Sequence, residues 1–399
     1  MRWRLRDSAP DDEQARSRTQ WLRLSFFLLA ATLTAHTAGA QDVALSAGGY
    51  GKNLAIRSQT FLSGETYFFN ISRLRLKGLG DLADRVHAEV WLDNELWSGN
   101  FLKTQDFDLG QRAVRPTFVD MSWIVSEGNE MQFRQNLFRA FATVYAGGAE
   151  VTVGRQRIAW GTGFAWNPTD LLNPFNPSAI ELEEKTGVDA VHVTVPLTSL
   201  SRAEAVFAPG RGALKSSGAL RFSGHVGEYD FSLMAGDFQD DRVLGADFAG
   251  YLGSAGVRGE LAHTWREGGD RFLRAVINAD YNFPGDIYAF AEFYYNGQGV
   301  SDKNNYQQVI PELLTGRVFN LAKFYSAFSA NKSITPLLVL NVYGLANLND
   351  GSSLLGPALT YSLFTDLEIT VSAYLTRGSQ GSEYGLQQSS YFASAQFYF

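Results

Sequence analysis

The sequence predicts an all-β fold: a transmembrane antiparallel up-and-down β-barrel of 16–18 strands, closed by the C-terminal strand. Three observations predict it. The chain ends on an alternating strand with a terminal aromatic. It begins with a three-part leader. Between them, amphipathic segments of about ten residues recur in a composition rich in aromatics and glycine.

The last thirteen residues, Gln387–Phe399, read QQSSYFASAQFYF. Tyr391, Ala393, Ala395, Phe397 and Phe399 stand at two-residue spacing, with Ser390, Ser394 and Gln396 on the opposite parity. Such a strand turns one face to lipid and the other to water. A strand ending on C-terminal Phe is a mark of bacterial outer-membrane barrels, in which it closes the cylinder and is read by the barrel-assembly machinery.

The leader comprises residues 1–40. Arg2, Arg4, Arg6, Arg16, Arg18 and Arg23 precede an apolar run, Leu24–Ala35, and then Ala38-Gly39-Ala40, a small-x-small cleavage site. This is the layout of a secretory signal peptide. The apolar run is shorter than the roughly 20 residues a spanning helix needs. No Arg-Arg pair precedes it, which favours ordinary unfolded export. The barrel is expected to occupy residues 41–399, in the bacterial outer membrane, with lipid and lipopolysaccharide around it.

Of 34 Lys+Arg and 41 Asp+Glu, the leader removes 6 and 4, leaving 28 and 37 and a net charge of about −9. That argues against nucleic acid, which requires a basic surface. The absence of Cys excludes disulfides, c-type haem and thiolate metal sites. Aromatics make up 14% of the chain and Gly contributes 39 residues, the profile of girdled strands and tight turns.

Alternation is clearest at Leu367–Arg377, Asp286–Asn296 and Arg271–Phe283. Taken in order, strands are expected at 45–58, 66–77, 84–94, 134–146, 149–160, 188–197, 202–209, 215–225, 229–238, 243–252, 255–265, 271–283, 286–297, 318–330, 335–347, 352–364, 367–378 and 387–399. The count is even, as single-chain bacterial barrels require; the first strand carries the weakest pattern, and without it sixteen remain possible. If the last strand runs down to the periplasm, alternate connections must be short. They are, from Gly78–Leu82 through Gly147-Gly148 to Thr365-Asp366. The three long connections, 95–133, 161–187 and 298–317, fall on the other side. The first of them holds Pro116–Val125, which reads as an extra strand pair or an inward-folded loop.

The most unusual stretch is Val153-Gly-Arg-Gln-Arg-Ile-Ala-Trp-Gly-Thr-Gly163, with Asn167-Pro168, Asn173-Pro174 and Asn176-Pro177 beyond it and Asn136-Leu-Phe-Arg-Ala-Phe141 before it. Over about residues 134–196 it resembles a family of porin-like and alginate-export-like barrels. That family carries an Arg-Ala-Tyr-like strand, then Gly-Arg-Gln-x-Ile-x-Trp-Gly and Asn-Pro-x-Asp. Phe141 stands where that family usually has Tyr. The resemblance implies a porin-type barrel and supplies no substrate.

Charges at lipid depth are costly, so ionisable residues within strands are expected to face the lumen. On parity, Glu89, Asp93, Arg139, Arg155, Arg157, Arg274, Asp280 and Glu292 are the pore-lining candidates. Arg139, Arg155 and Arg157 form one cluster and need counter-charge. Glu181, Glu183 and Glu184 are the nearest acids in sequence, so loop 161–187 is expected to fold inward onto the arginines as a constriction. The same pairing could serve only to pin the loop, or the arginines could bind an anionic solute. Its Asn-Pro pairs make this loop stiff. Trp160 and Trp166 read as rim-girdle residues in preference to a sugar-stacking surface.

Nothing in the chain suggests catalysis. His87, His192, His225 and His263 lie on four different strands without metal-type spacing. No cofactor, catalytic residue or metal ligand is expected. A barrel of 16–18 strands leaves an aqueous lumen. The expectation is a passive channel for small hydrophilic solutes or ions. The alternative is a structural or export duct acting with a periplasmic partner complex. The sequence leaves open whether copies associate.

Overall fold

Residues with period-two alternation must hydrogen-bond to neighbours on both sides, and in a membrane only a closed ring leaves no edge. The computed structural model describes residues 43–82, 85–112, 117–174, 176–178, 187–212, 215–310 and 319–399. The expected leader lies outside the described residues.

The strands are β1 Val43–Gln59, β2 Thr66–Leu82, β3 Val86–Ser98, β4 Ser122–Glu127, β5 Met131–Ala146, β6 Ala149–Gln156, β7 Val188–Thr198, β8 Ser201–Ala208, β9 Ser217–Val226 and β10 Tyr229–Phe238. They continue as β11 Asp241–Leu252, β12 Ala255–Arg266, β13 Arg271–Phe283, β14 Ile287–Asn296, β15 Phe324–Thr335, β16 Leu338–Asn347, β17 Ser353–Phe364, β18 Leu367–Arg377 and β19 Ser390–Tyr398. Every strand pair is antiparallel. Eighteen strands close the ring, because β1 pairs with both β2 and β19. The weakest sequence pattern thus gave a 17-residue strand. At the seam Gly49 N–H donates to Phe399 O at 2.8 Å, and Phe399 N–H returns a bond to Gly49 O.

The nineteenth strand is β4, inside the first long connection. It pairs with β5 over residues 132–136, above the stretch of β5, 140–146, that pairs with β6. Helix α1, Gln105–Arg112, lies in the same connection, and Phe107 before its midpoint packs edge-on against Trp97 of β3.

The two faces of the sheet differ as alternation requires. Val153, Val191, Leu220, Ile277 and Val371 are exposed on one face, the lipid belt. The alternate positions bury Glu204, Asp247, Glu260, Asn278 and Glu292 on the other. The strand expected at 149–160 ends at Gln156, because Ile158 and Trp160 peel inward into an apolar cluster with Val206, Ala219, Met234 and Ala262.

Candidate functional site

Hydrophobic residues on the β6–β7 connection cannot stay in water, and the lumen wall offers them cover. Trp160 is buried and its Nε1 donates to Glu204 of β8 at 3.1 Å. Beyond it the chain crosses the lumen to strands nearly halfway round the ring. Trp166 stacks on Tyr294 of β14 with ring centroids 5.1 Å apart and 15° between planes. Its Nε1 donates to Asn320 at 2.8 Å. The tryptophans therefore anchor the loop; they are neither a rim girdle nor an open sugar-stacking surface.

Two wall carboxylates hold the crossing. Glu260 of β12 accepts from the backbone N–H groups of Thr162, Gly163 and Thr169 and from the Thr169 hydroxyl at 2.9 Å. Glu292 of β14 accepts from the N–H groups of Phe164 at 2.7 Å, Ala165 at 3.1 Å and Trp166 at 2.8 Å, and from Asn278. Such charge-assisted bonds are worth roughly 1.5–3 kcal/mol each where water is excluded. The spacing of Gly161 and Gly163 has a steric reason. Gly161 has φ +93°, and a Cβ there would meet the Glu260 carboxylate at 2.6 Å. A Cβ on Gly163 would fall 1.9 Å from Trp166 O. Only glycine lets the backbone turn tightly enough to present successive amides to the wall.

The loop is thus pinned by its own amides to acids on the far wall. The expected partners of the arginines, Glu181, Glu183 and Glu184, lie outside the described residues. Of the three arginines, Arg139 and Arg157 stay within electrostatic reach of each other, and Arg155 leaves them. Arg155 pairs in register with Asp189, and Val153 with Val191, so Arg155 shares the outward face. It does not face the lumen with Arg157. Its charge is tolerated because Asp189 accepts a two-pronged pair at 2.8 and 3.0 Å and the carbonyls of Leu137 and Val119 accept the rest. Segment 117–121 lies over it, and Arg155 fills the break in the ladder between β4 and β6. Arg157, past the strand end, turns in with the loop. It lines a cavity of about 580 Å³ on the turn side of the barrel with Glu150, His192, Thr194 and Arg221.

Arg139 stands on the lumen face of β5, its guanidinium 4.3 Å from the Trp91 ring centroid. Lys77 lies 4.1 Å from the same ring. Above them on β2 and β3, Asp93 takes both Nε and Nη2 of Arg75 at 2.5 and 2.6 Å, and Glu95 takes Arg73 at 2.6 Å. Glu89 lies 3.5 Å from His87 Nε2. Lys52, Arg73, Lys77, Glu89 and Arg139 stay half-exposed, whereas Glu260 and Glu292 are buried under the loop. The open wall is therefore basic, and the covered wall holds the acids. Asp280 pairs with Arg258, and Arg274 packs near Phe272 among Asp241 and Arg266.

Two further connections fill the β13–β17 side. Trp166, Tyr306, Val309, Leu321 and Tyr384 form one buried cluster with Tyr325 and Leu345. Within it Glu383 of the β18–β19 loop accepts from Tyr325 Oη at 2.5 Å, Asn347 Nδ2 at 2.7 Å and Leu321 N–H. Sequence reasoning missed Glu204, Glu260 and Glu383. The first two carried a readable signal, an acid on lumen parity within an alternating strand. Glu383 lies in a loop and carried none.

No protein-family model matches the sequence, and no curated protein matches it. Solved structures do match in fold. Pseudomonas aeruginosa OccK11 superposes with a TM-score of 0.57 at 9% identity, over 89% of this chain and 96% of that one. P. aeruginosa OprD gives 0.54 at 10% identity, over 89% and 95%. Acinetobacter baumannii OccAB1 gives 0.54 at 10% identity, over 91% and 98%. The fold is that of an outer-membrane porin. A porin fold with a lipid-facing belt is an outer-membrane barrel.

Proposed function

We propose that this chain is a passive diffusion channel for small hydrophilic solutes or ions, narrowed by the β6–β7 loop and favouring anions. One observation carries the reading: a loop pinned across the lumen opposite a half-exposed basic wall. Lys77 and Arg139 on Trp91, with Arg157 at the loop base, raise the local concentration of anions in the free passage. The loop consumes the charge of Glu260 and Glu292, so the acids of the covered wall do not offset it. The Gly-Arg-Gln-x-Ile-x-Trp-Gly segment fits this role, since its glycines and tryptophan build the constriction. Its likeness to alginate-export barrels is part of the same reading and names no solute.

Purified protein in planar bilayers tests the proposal. Discrete conductance steps with a reversal potential shifted toward the anion are expected. A silent barrel that copurifies with periplasmic proteins would overturn it in favour of an export duct.

A further inference from the structure

The closing seam carries a groove at its extracellular end that opens away from the lumen. Arg57 and Gln59 of β1 are exposed and alternate with buried Ile56, Ser58 and Thr60. Arg377 of β18 is exposed on the parity of Val371 and Leu375. With Thr66 of β2, Gln387 of the β18–β19 loop and Tyr391 of β19 they line a cavity of about 580 Å³.

The register fixes its depth. Arg57 pairs with Phe68 of β2 on one side and with Tyr391 of β19 on the other. Both rings are exposed, and the aliphatic run of β18 lies below Arg377. Exposed aromatics above an aliphatic band mark the boundary between hydrocarbon and headgroups. The groove therefore lies at the level of the outer-leaflet headgroups.

Its charge is one-sided. Among the described residues no Asp or Glu lines it, in a chain whose 41 acids outnumber its 34 bases. Neither Arg57 nor Arg377 makes a hydrogen bond or an ion pair with another described residue. By contrast Arg242 of β11, across the ring, has Asp237 at 3.7 Å, and Lys215 has Glu267 at 2.9 Å. Two uncompensated guanidiniums raise the local concentration of anions and present planar forks that match phosphate oxygens.

We infer that this groove binds a phosphorylated glycolipid of the outer leaflet, lipopolysaccharide, through its headgroup phosphates. Position favours the lipid over a dissolved anion, because the groove opens onto the membrane. Below it Ala55, Ala393 and Val371, in register across β1, β19 and β18, leave a shallow track for an acyl chain. The arginines stand two strands apart, roughly 10 Å around the ring, which suits a sugar headgroup bearing more than one phosphate. The exposed amides of Gln59 and Gln387 supply donors for the sugar. A ligand held by both arginines spans β19 and ties β1 to β18 across the strand that closes the barrel.

The test uses the mature protein in mild detergent, freed of lipid and titrated with bis-phosphorylated lipid A. Adducts are read by native mass spectrometry and unfolding is followed by heating. A one-to-one adduct and a raised unfolding temperature are expected. The double variant Arg57→Gln, Arg377→Gln should bind roughly tenfold more weakly, or worse. It should lose the thermal rise and keep its folded mobility in an unheated gel. Arg242→Gln should bind as the unchanged protein does. Lipid A stripped of its phosphates should bind the unchanged protein as weakly as intact lipid A binds the double variant. Equal affinity for the unchanged protein and the double variant overturns the inference, as does the absence of an adduct. Inorganic phosphate that gives the same thermal rise at a comparable concentration overturns the assignment to a lipid.

Discussion

Trp166 on the β6–β7 connection stacks on Tyr294 of β14, nearly halfway round the ring, with centroids 5.1 Å apart. This contact fixes how far the loop crosses the lumen. Both residues are buried, and Tyr325 flanks the indole at 5.7 Å. Replacing the indole with alanine removes a buried aromatic, a change that costs about 3–5 kcal/mol in cores. The cost here should fall on the loop and leave the ring standing. Trp166→Ala should raise single-channel conductance and expose the segment around 161–174 to protease. The unheated barrel should keep its folded mobility.

Arg155 and Arg157 should behave differently despite their spacing. Arg155→Ala leaves Asp189 buried without its partner, a change worth roughly 3–5 kcal/mol of destabilisation. It should lower the unfolding temperature with little effect on selectivity. Arg157→Ala removes a lumen charge from an exposed position. It should shift the reversal potential toward cations with the unfolding temperature unchanged. Paired thermal unfolding and bilayer measurements on the two variants check both halves.

Lys77 and Arg139 share the Trp91 ring. Trp91→Ala removes the platform that orients them, each contact being worth ~0.5–1 kcal/mol where it is partly wet. Anion preference should weaken while both charges remain. Lys77→Gln and Arg139→Gln together should weaken it further. Reversal potentials in a salt gradient measure the order wild type, Trp91→Ala, double variant.

The extracellular loop cluster should respond to pH through Glu383. Burial pushes its carboxyl up to about 7, against the lowering effect of bonds from Tyr325, Leu321 N–H and Asn347. At Asp350 burial acts upward, but bonds from Ser352, Glu383 N–H and Tyr306 outweigh it and hold the group below its usual value. A carboxyl raised on folding stabilises the cluster fully below the ordinary glutamate range. That contribution is lost as pH rises through about 7. The β18–β19 loop should be cut faster at pH 8 than at pH 5 by a protease corrected for its own pH profile. Glu383→Gln should flatten the difference.

Much of the ring was legible because alternation is a local property. Sixteen to eighteen strands, their turns and the closing strand follow from parity and terminal residues, and even the poorly patterned β1 belongs to the ring. The loop crossing was legible as an event and illegible in its bonds. Sequence offers Glu181–Glu184 as neighbours of the arginines, whereas the wall acids that take the loop amides lie some ninety to one hundred and thirty residues further on. Backbone donors leave no mark in a side-chain pattern. Parity failed at Arg155 because its rule assumes an uncovered outer face, and segment 117–121 covers that spot. The tryptophans were misplaced because a rim indole and a lumen anchor look alike until the partner strand is known.

The constriction is tested most directly by the single-channel conductance of the double variant Glu260→Ala, Glu292→Ala beside the unchanged protein. These carboxylates hold the loop amides, and their loss should free the crossing. The double variant should show larger and noisier steps with the same folded mobility in an unheated gel. Conductance equal to that of the unchanged protein, from a barrel shown to be folded, would contradict the account: the loop would then not set the width of the passage.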